Sequence, residues 1–191
     1  MIVNKSYIYV SPEDYLEGEK VSPIKHEYRQ GNIYAMAGAS KAHVIIMGNV
    51  FALLRSHLRG SGCIPYIADT KVRIEVANTY YYPDVVVSCD ERDRTYPDED
   101  FIRYPKLIVE VLSPTTAAFD RGEKFADYRT IETLQEYVLI SQERVSVECF
   151  SRNADGLWVL YPYAAGEEVR LGSVDLQCAI AAIYEDVLTL N

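Results

Sequence analysis

Between Leu107 and Leu112 five aliphatic side chains surround a single carboxylate, Glu110. An apolar run with so little alternation belongs to a strand covered on both faces, and Val85 to Val87 forms a second such run. A glutamate in that setting cannot remain ionised alone, because an unpaired charge taken out of water costs several kcal/mol. It must be neutralised, paired with a cation or bound to a metal. The chain therefore has to build a sheet with two covered faces and provide a partner for one acid inside it.

The flanking segments supply the covering layers. At 191 residues, about half of them apolar, the chain suits one core, and a single domain over residues 1–191 is expected. Ser11 before Pro12, Glu13 and Asp14 marks a helix start. In HEYRQGNIYAMAG, Gln30, Gly31 and Asn32 separate two β-favouring stretches, which predicts a hairpin or a tight bend. Ser40 opens a helix on which Val44, Ile45, Met47, Val50, Phe51, Leu54 and Leu58 recur at helical spacing until Gly60 and Gly62. TKVRIEVA, YYPDVVVSC and PKLIVEVLS read as three consecutive strands. A helix from about Asp120 to Thr130 follows the Ser113-Pro114-Thr115 break, and LQEYVLI returns as a buried strand. From Arg144 onward VSVECFSR, LWVLYPYAAG and EEVRLGSVDL form an antiparallel meander closed by the helix IAAIYEDV. The expected class is α/β with a central mixed sheet flanked by helices and an antiparallel C-terminal meander.

Several function classes are disfavoured by composition. No uninterrupted apolar run of roughly 18 residues occurs, and the opening residues lack the layout of a secretion signal, so no membrane association and a cytoplasmic location are expected. The net charge of −9 argues against gripping nucleic acid by bulk electrostatics, so any such contact must be local. Cys63, Cys89, Cys149 and Cys178 are scattered without a CxxC pair and read as reduced, mostly buried thiols.

Chemistry enters with a second acid. Pro83 has no amide to donate, so it marks a strand start and places Asp84 where a side chain can reach a cleft. If the strands of Asp84 and Glu110 are neighbours, their carboxylates approach and repel unless a hard cation lies between them, and Mg²⁺ favours a few carboxylates plus waters. Lys124, 14 residues beyond Glu110 on DRGEKFADYR, lies one turn before Tyr128 and could point back at the sheet. There it would orient an attacking water or stabilise charge on a phosphate.

These residues carry a resemblance. Pro83-Asp84, EVLSP from Glu110 to Pro114, then Asp120, Lys124 and Tyr128, then EYVLI, together with the Glu of HEYRQG, Gly31 and the His of ASKAH, resemble the Uma-two family. That family is abundant in cyanobacteria and is similar to the PD-(D/E)XK restriction-endonuclease-like nucleases; the likeness runs from Tyr15 to the closing helix. It implies a restriction-endonuclease-like core, DNA as substrate, Asp84 and Glu110 as ligands of Mg²⁺ or Mn²⁺, and Glu27 as a third acid. One departure is plain: two residues after the acid, where the nuclease motif has lysine, this chain has Leu112, so Lys124 would take that role from the following helix.

Plainer readings exist for each residue. Asp84 can cap a turn at a strand entry, Glu110 can pair with Arg73 or Arg121, and Lys124 can be a solvated helix lysine. Glu27 can be a surface hairpin residue, and His43 can cap, pack or touch a phosphate. Tyr80 to Tyr82 could line a groove near Asp84, while Asp69 and Lys71 read as ordinary loop residues. Two functions are carried forward. One is an Mg²⁺-dependent DNA endonuclease; the other is a catalytically idle nuclease-like fold serving as a dimeric nucleic-acid-binding or regulatory module. A homodimer is expected in either case, with the C-terminal meander as a candidate contact.

Overall fold

A computed structural model describes residues 9–95 and 100–187, so the segment read for a secretion signal lies partly outside them, in residues 1–8. The first elements follow their local signals. Ser11 caps α1 (Pro12–Val21) by accepting the Asp14 amide at 3.0 Å. β1 (His26–Arg29) and β2 (Asn32–Ala35) form the expected hairpin, turning through Gln30 and Gly31 at φ 49° and 88°. Two successive positive φ values give the tight turn its strand-matching twist. α2 (Lys41–His57) starts at the Ser40 cap.

The middle of the chain departs from three consecutive strands. β3 (Ile64–Ile67), β4 (Lys71–Ile74), β5 (Thr79–Tyr81) and β6 (Val85–Ser88) are followed by the short α3 (Arg92–Thr95), then β7 (Phe101–Ile102) and β8 (Pro105–Leu112). β4 pairs with β5, β6 pairs with β8, and YYPDVVVSC is divided between two sheets. Pro83 cannot continue a ladder, so the chain leaves one sheet after Tyr81 and enters the other at Val85. α4 (Ala117–Phe119), a π-helical turn (Asp120–Lys124) and α5 (Phe125–Tyr128) run on as one irregular helical segment. β9 (Glu136–Ser141), β10 (Ser146–Arg152) and β11 (Trp158–Ala164) complete a six-stranded mixed sheet of order β11-β10-β9-β8-β6-β3, in which β8 and β9 are parallel. The other sheet has the order β2-β1-β5-β4-β7.

The C-terminal meander is shorter than expected. β12 (Glu168–Leu171) and β13 (Leu176–Ala179) form a separate ribbon, followed by α6 (Ile180–Ile183). Buried Glu136 fastens that ribbon to the sheet, accepting the Gly172 and Ser173 amides at 2.9 Å each and the Ser151 hydroxyl at 2.9 Å. A cavity of about 390 Å³ opens beside it, lined by Arg152, Tyr161, Tyr163 and Arg170 among others; its carboxylate is already saturated and serves as an anchor.

Both faces of the six-stranded sheet are covered, as the Leu107–Leu112 run requires. On one face Val85, Val87, Leu107, Val109 and Val111 pack against Ile46, Val50, Leu54 and Leu58. On the other, Val86, Ile108, Leu112, Tyr137 and Leu139 meet Val72, Ile74 and Tyr81 of the five-stranded sheet and Tyr128 of α5. α1 closes the outer face of the five-stranded sheet, with Tyr15 stacked on Tyr28 at 5.1 Å between ring centres.

Two details correct the sequence reading. Ile46, which the spacing left out, is fully buried, whereas Val44 is 48% exposed at the rim of α2. Cys63 and Cys89 form a disulfide rather than remaining thiols. They flank the antiparallel pair Ile64 and Ser88, which sets them opposite each other although 26 residues separate them in sequence. Cys149 is a buried thiol, pushed up to about 12 chiefly by burial.

Two stability measurements check this packing. Ile46→Ala should cost about 2–5 kcal/mol in urea unfolding, and Val44→Ala no more than about 0.5 kcal/mol; equal effects would mean that α2 is rotated. The Tyr184 hydroxyl bonds to Ser141, Arg144 and Ser146, and burial raises its pKa to about 12. Its neutral form favours the folded state below pH 10, and that stability is lost as pH rises from 10 to 12. Tyr184→Phe should therefore flatten the alkaline limb of the stability profile, and an unchanged limb would contradict the assignment.

Candidate active site

Four elements converge on Glu110. The residue lies mid-strand in β8 on the face that meets the five-stranded sheet, and it is buried. Val85 faces Val109 in the antiparallel register, so the next step sets Asp84 opposite Glu110. Asp84 does not extend the ladder. Its carboxylate turns inward and accepts the Val111 amide at 2.6 Å on one oxygen and the His43 Nε2 proton at 2.8 Å on the other. His43 is fixed in turn by the Ser40 cap, whose hydroxyl accepts the His43 amide at 3.1 Å and donates to Gln142 at 2.5 Å.

Lys124 comes from the π-helical turn and is only 5% exposed. Its ammonium lies 2.9 Å from Glu110 Oε1, 3.2 Å from Glu27 Oε1 and 3.7 Å from Asp120 Oδ1. Tyr128, one turn on, donates its hydroxyl to Glu110 at 3.2 Å. Glu27 reaches in from β1 and also accepts the Tyr82 amide at 3.2 Å, beside the crossing between the sheets. A π-helical turn is the kind of irregularity found at functional sites. Here it carries two buried charged residues, Asp120 and Lys124, toward the same cluster.

The electrostatics follow from burial and pairing. Burial pushes Glu110 well above the usual carboxylate range; the Lys124 charge opposes that rise, and Asp120 and Asp84 add to it. Burial alone would lower Lys124, yet Glu110, Glu27, Tyr128 and Asp120 outweigh it and hold the ammonium protonated well above its ordinary value. Asp120 is raised by burial, with Lys124 opposing.

Glu27, Glu110 and Lys124 are thus in direct contact, and Asp84 joins them through the strand register. Lys124 is no solvated helix lysine, and Glu27 is no surface residue. Neither arginine proposed for Glu110 is its partner: Arg73 donates to Asn78, and Arg121 forks onto Glu148. Tyr80, Tyr81 and Tyr82 are buried in the core. Lys71 is buried at the start of β4 and donates to the Tyr82 hydroxyl at 3.3 Å, whereas Asp69 pairs with Lys25. Asp120 had no assigned chemistry, although its four-residue spacing from Lys124 was a readable signal. The bond between His43 and Asp84 spans 41 residues, and nothing local announced it.

The donors here are of the type a hard dication takes, but they are not gathered around one point. Three carboxylates, Glu27, Glu110 and Asp120, lie within 4 Å of one ammonium, and Asp84 stands opposite Glu110 in the strand register; all are oxygen donors of the kind Mg²⁺ prefers. No group of three or more His, Cys, Asp or Glu among the described residues forms a ready ligand set.

Comparisons with known proteins agree with this architecture. Residues 12–182 match the family profile Uma2, described as "Putative restriction endonuclease". The uncharacterized protein slr1290 of Synechocystis is 43% identical over 175 residues, covering 92% of this chain and 91% of the relative. A second Synechocystis protein, sll1609, is 36% identical over 160 residues, covering 84% and 90%. The fold matches the crystal structure of "a putative nuclease belonging to DUF820" from Anabaena variabilis with a TM-score of 0.76, at 15% identity, over 94% of this chain and 99% of that one. That structural likeness bears on the fold, which is restriction-endonuclease-like with mixed sheets and helices, as expected. With the profile spanning most of its length and cyanobacterial relatives aligned along most of theirs, the chain belongs to the Uma2 family.

Proposed function

We propose that this protein is an Mg²⁺-dependent DNA endonuclease of the PD-(D/E)XK type, in which Lys124 has taken the place of the motif lysine. The observation that carries the reading is the protonated, buried ammonium of Lys124 at 2.9 Å from Glu110, beside Asp84. Leu112, where the motif has lysine, is packed into the core on Glu110's own face, and the helical segment delivers a cation to that face instead.

Each residue has a distinct part. Asp84 and Glu110 would hold Mg²⁺, or Mn²⁺ in its place, which when bound supplies Lewis acidity at the scissile phosphate and a more acidic water. The two hydrogen bonds to Asp84 fix the direction of its carboxylate. Lys124 donates toward charge developing on phosphate oxygen or orients the attacking water. Glu27 and Asp120 hold the ammonium in place and keep it charged.

The second reading is the idle nuclease-like module. It is favoured by one observation: the chain's own donors already satisfy both acids, Asp84 through His43 and Val111, and Glu110 through Lys124 and Tyr128. A homodimer suits either reading. No helix among the described residues is long and apolar enough to cross a membrane, and we place the protein in the cytoplasm with its DNA.

Cleavage and stability should separate these roles. Asp84→Asn and Glu110→Gln should each lower Mg²⁺-dependent cleavage of plasmid or oligonucleotide DNA by on the order of 100-fold or more; cleavage that survives both changes would remove this mechanism. Lys124→Met should cost about 3–5 kcal/mol, because it strands a buried carboxylate. Adding Glu110→Gln should recover most of that stability without recovering activity. If the double variant is as unstable as Lys124→Met alone, the pair does not interact as described.

A further inference from the structure

The edge of the acid cluster is uncharged and open. Ile33 to Ser40, IYAMAGAS, are eight consecutive exposed residues without one Asp, Glu, Lys, Arg or His, in a chain of which 25% is Asp, Glu, Lys or Arg. Two contacts tie this stretch to the site. On the strand side, Tyr34 is the direct antiparallel partner of Glu27, so both side chains project from the same face of the hairpin. On the helix side, the stretch ends at the Ser40 cap of α2, one turn from the His43 that holds Asp84. Tyr34 is 53% exposed and Met36, two residues on along the same face, is 39% exposed.

We infer that Tyr34, supported by Met36, is a stacking platform for an unpaired nucleobase, and that the substrate is single-stranded DNA or DNA with unpaired bases beside the scissile phosphate. The inference rests on the nuclease reading and deepens it. A chain with net charge −9 and four acids at its site gains little from attracting phosphate. Affinity then has to come from contacts that ignore charge, and base stacking on an aromatic ring supplies roughly 1–3 kcal/mol per base. Tyr34 presents such a ring next to Glu27. A polarizable thioether alongside adapts to whichever base arrives. A base inside an intact duplex has no free face to offer, which sets the substrate class.

The test is fluorescence anisotropy with a labelled oligothymidylate and a matching duplex, in Mg²⁺ and in a Glu110→Gln background that holds cleavage off, with cleavage by the otherwise unchanged chain followed in parallel. Tyr34→Ala should weaken single-strand binding by roughly 5- to 100-fold and raise KM while leaving kcat near its starting value. Tyr34→Phe should bind like the parent, because the ring and not the hydroxyl makes the contact. Parent cleavage with unaltered binding by Tyr34→Ala would overturn the platform and leave the nuclease reading standing. Loss of a dimer on Tyr34→Ala in sedimentation, with DNA binding intact, would make this rim a subunit contact and overturn the inference as well. A parent chain that neither binds nor cleaves DNA of either form would overturn both.

Discussion

A buried ammonium set among carboxylates is the constraint around which the other layers are arranged. Glu110 sits on a strand whose two faces are both covered, where an isolated negative charge is not tolerated. Lys124 answers it from the following helical segment, and Glu27 and Asp120 share the same cation. For those contacts to exist, the helical segment must lie against the sheet and β1 must come close to β8. The two sheets therefore meet at a polar cluster, with the apolar contacts of Ile108, Leu112, Tyr81 and Tyr128 around it. Removing one partner from such a cluster costs far more than the net contribution of the pair, because the other is left buried without compensation.

The crossing between the sheets gives the site its second acid. Pro83 ends the five-stranded sheet's claim on the chain, and the bend that follows turns Asp84 toward Glu110 instead of into a ladder. The Val111 amide and His43 then take one oxygen each, so the carboxylate is aimed by the central sheet and by the N-terminal turn of α2 together. The Mg²⁺ we propose for this place is a cation that prefers few protein ligands and several waters. The uncharged rim from Ile33 to Ser40 borders the same cluster from both sides, through the partner of Glu27 and through the cap beside His43.

Much of this was legible in the chain itself. A glutamate inside LIVEVL announced both a covered strand and a need for a partner; local caps announced α1 and α2, and Gln30-Gly31-Asn32 announced the turn between β1 and β2. Lys124 was readable as a candidate, since it lies one helical turn before Tyr128 on a segment that could point back at the sheet, but a solvated lysine fitted the same sequence. What escaped was set by pairing between distant segments. YYPDVVVSC looks continuous, and only the competition of two sheets for its halves divides it. Cys63 and Cys89 become neighbours through the register of β3 and β6, which no spacing rule supplies. On α2 the apolar stripe was wide enough to fit two rotations, and contact with the sheet chose the one that buries Ile46 and exposes Val44. Burial of Lys71 and the hold of His43 on Asp84 likewise depend on layers that meet only in the folded chain.

The central claim is that the acids beside Lys124 share a divalent ion, and a crystal soaked in Mn²⁺ tests it most directly. The account predicts anomalous density for one ion touching both Asp84 and Glu110, with water filling its other positions and the Lys124 ammonium still against Glu110. Density elsewhere, or none at millimolar Mn²⁺ with Asp84 held only by His43 and Glu110 only by Lys124, would contradict it and leave the cluster as a structural ion-pair network.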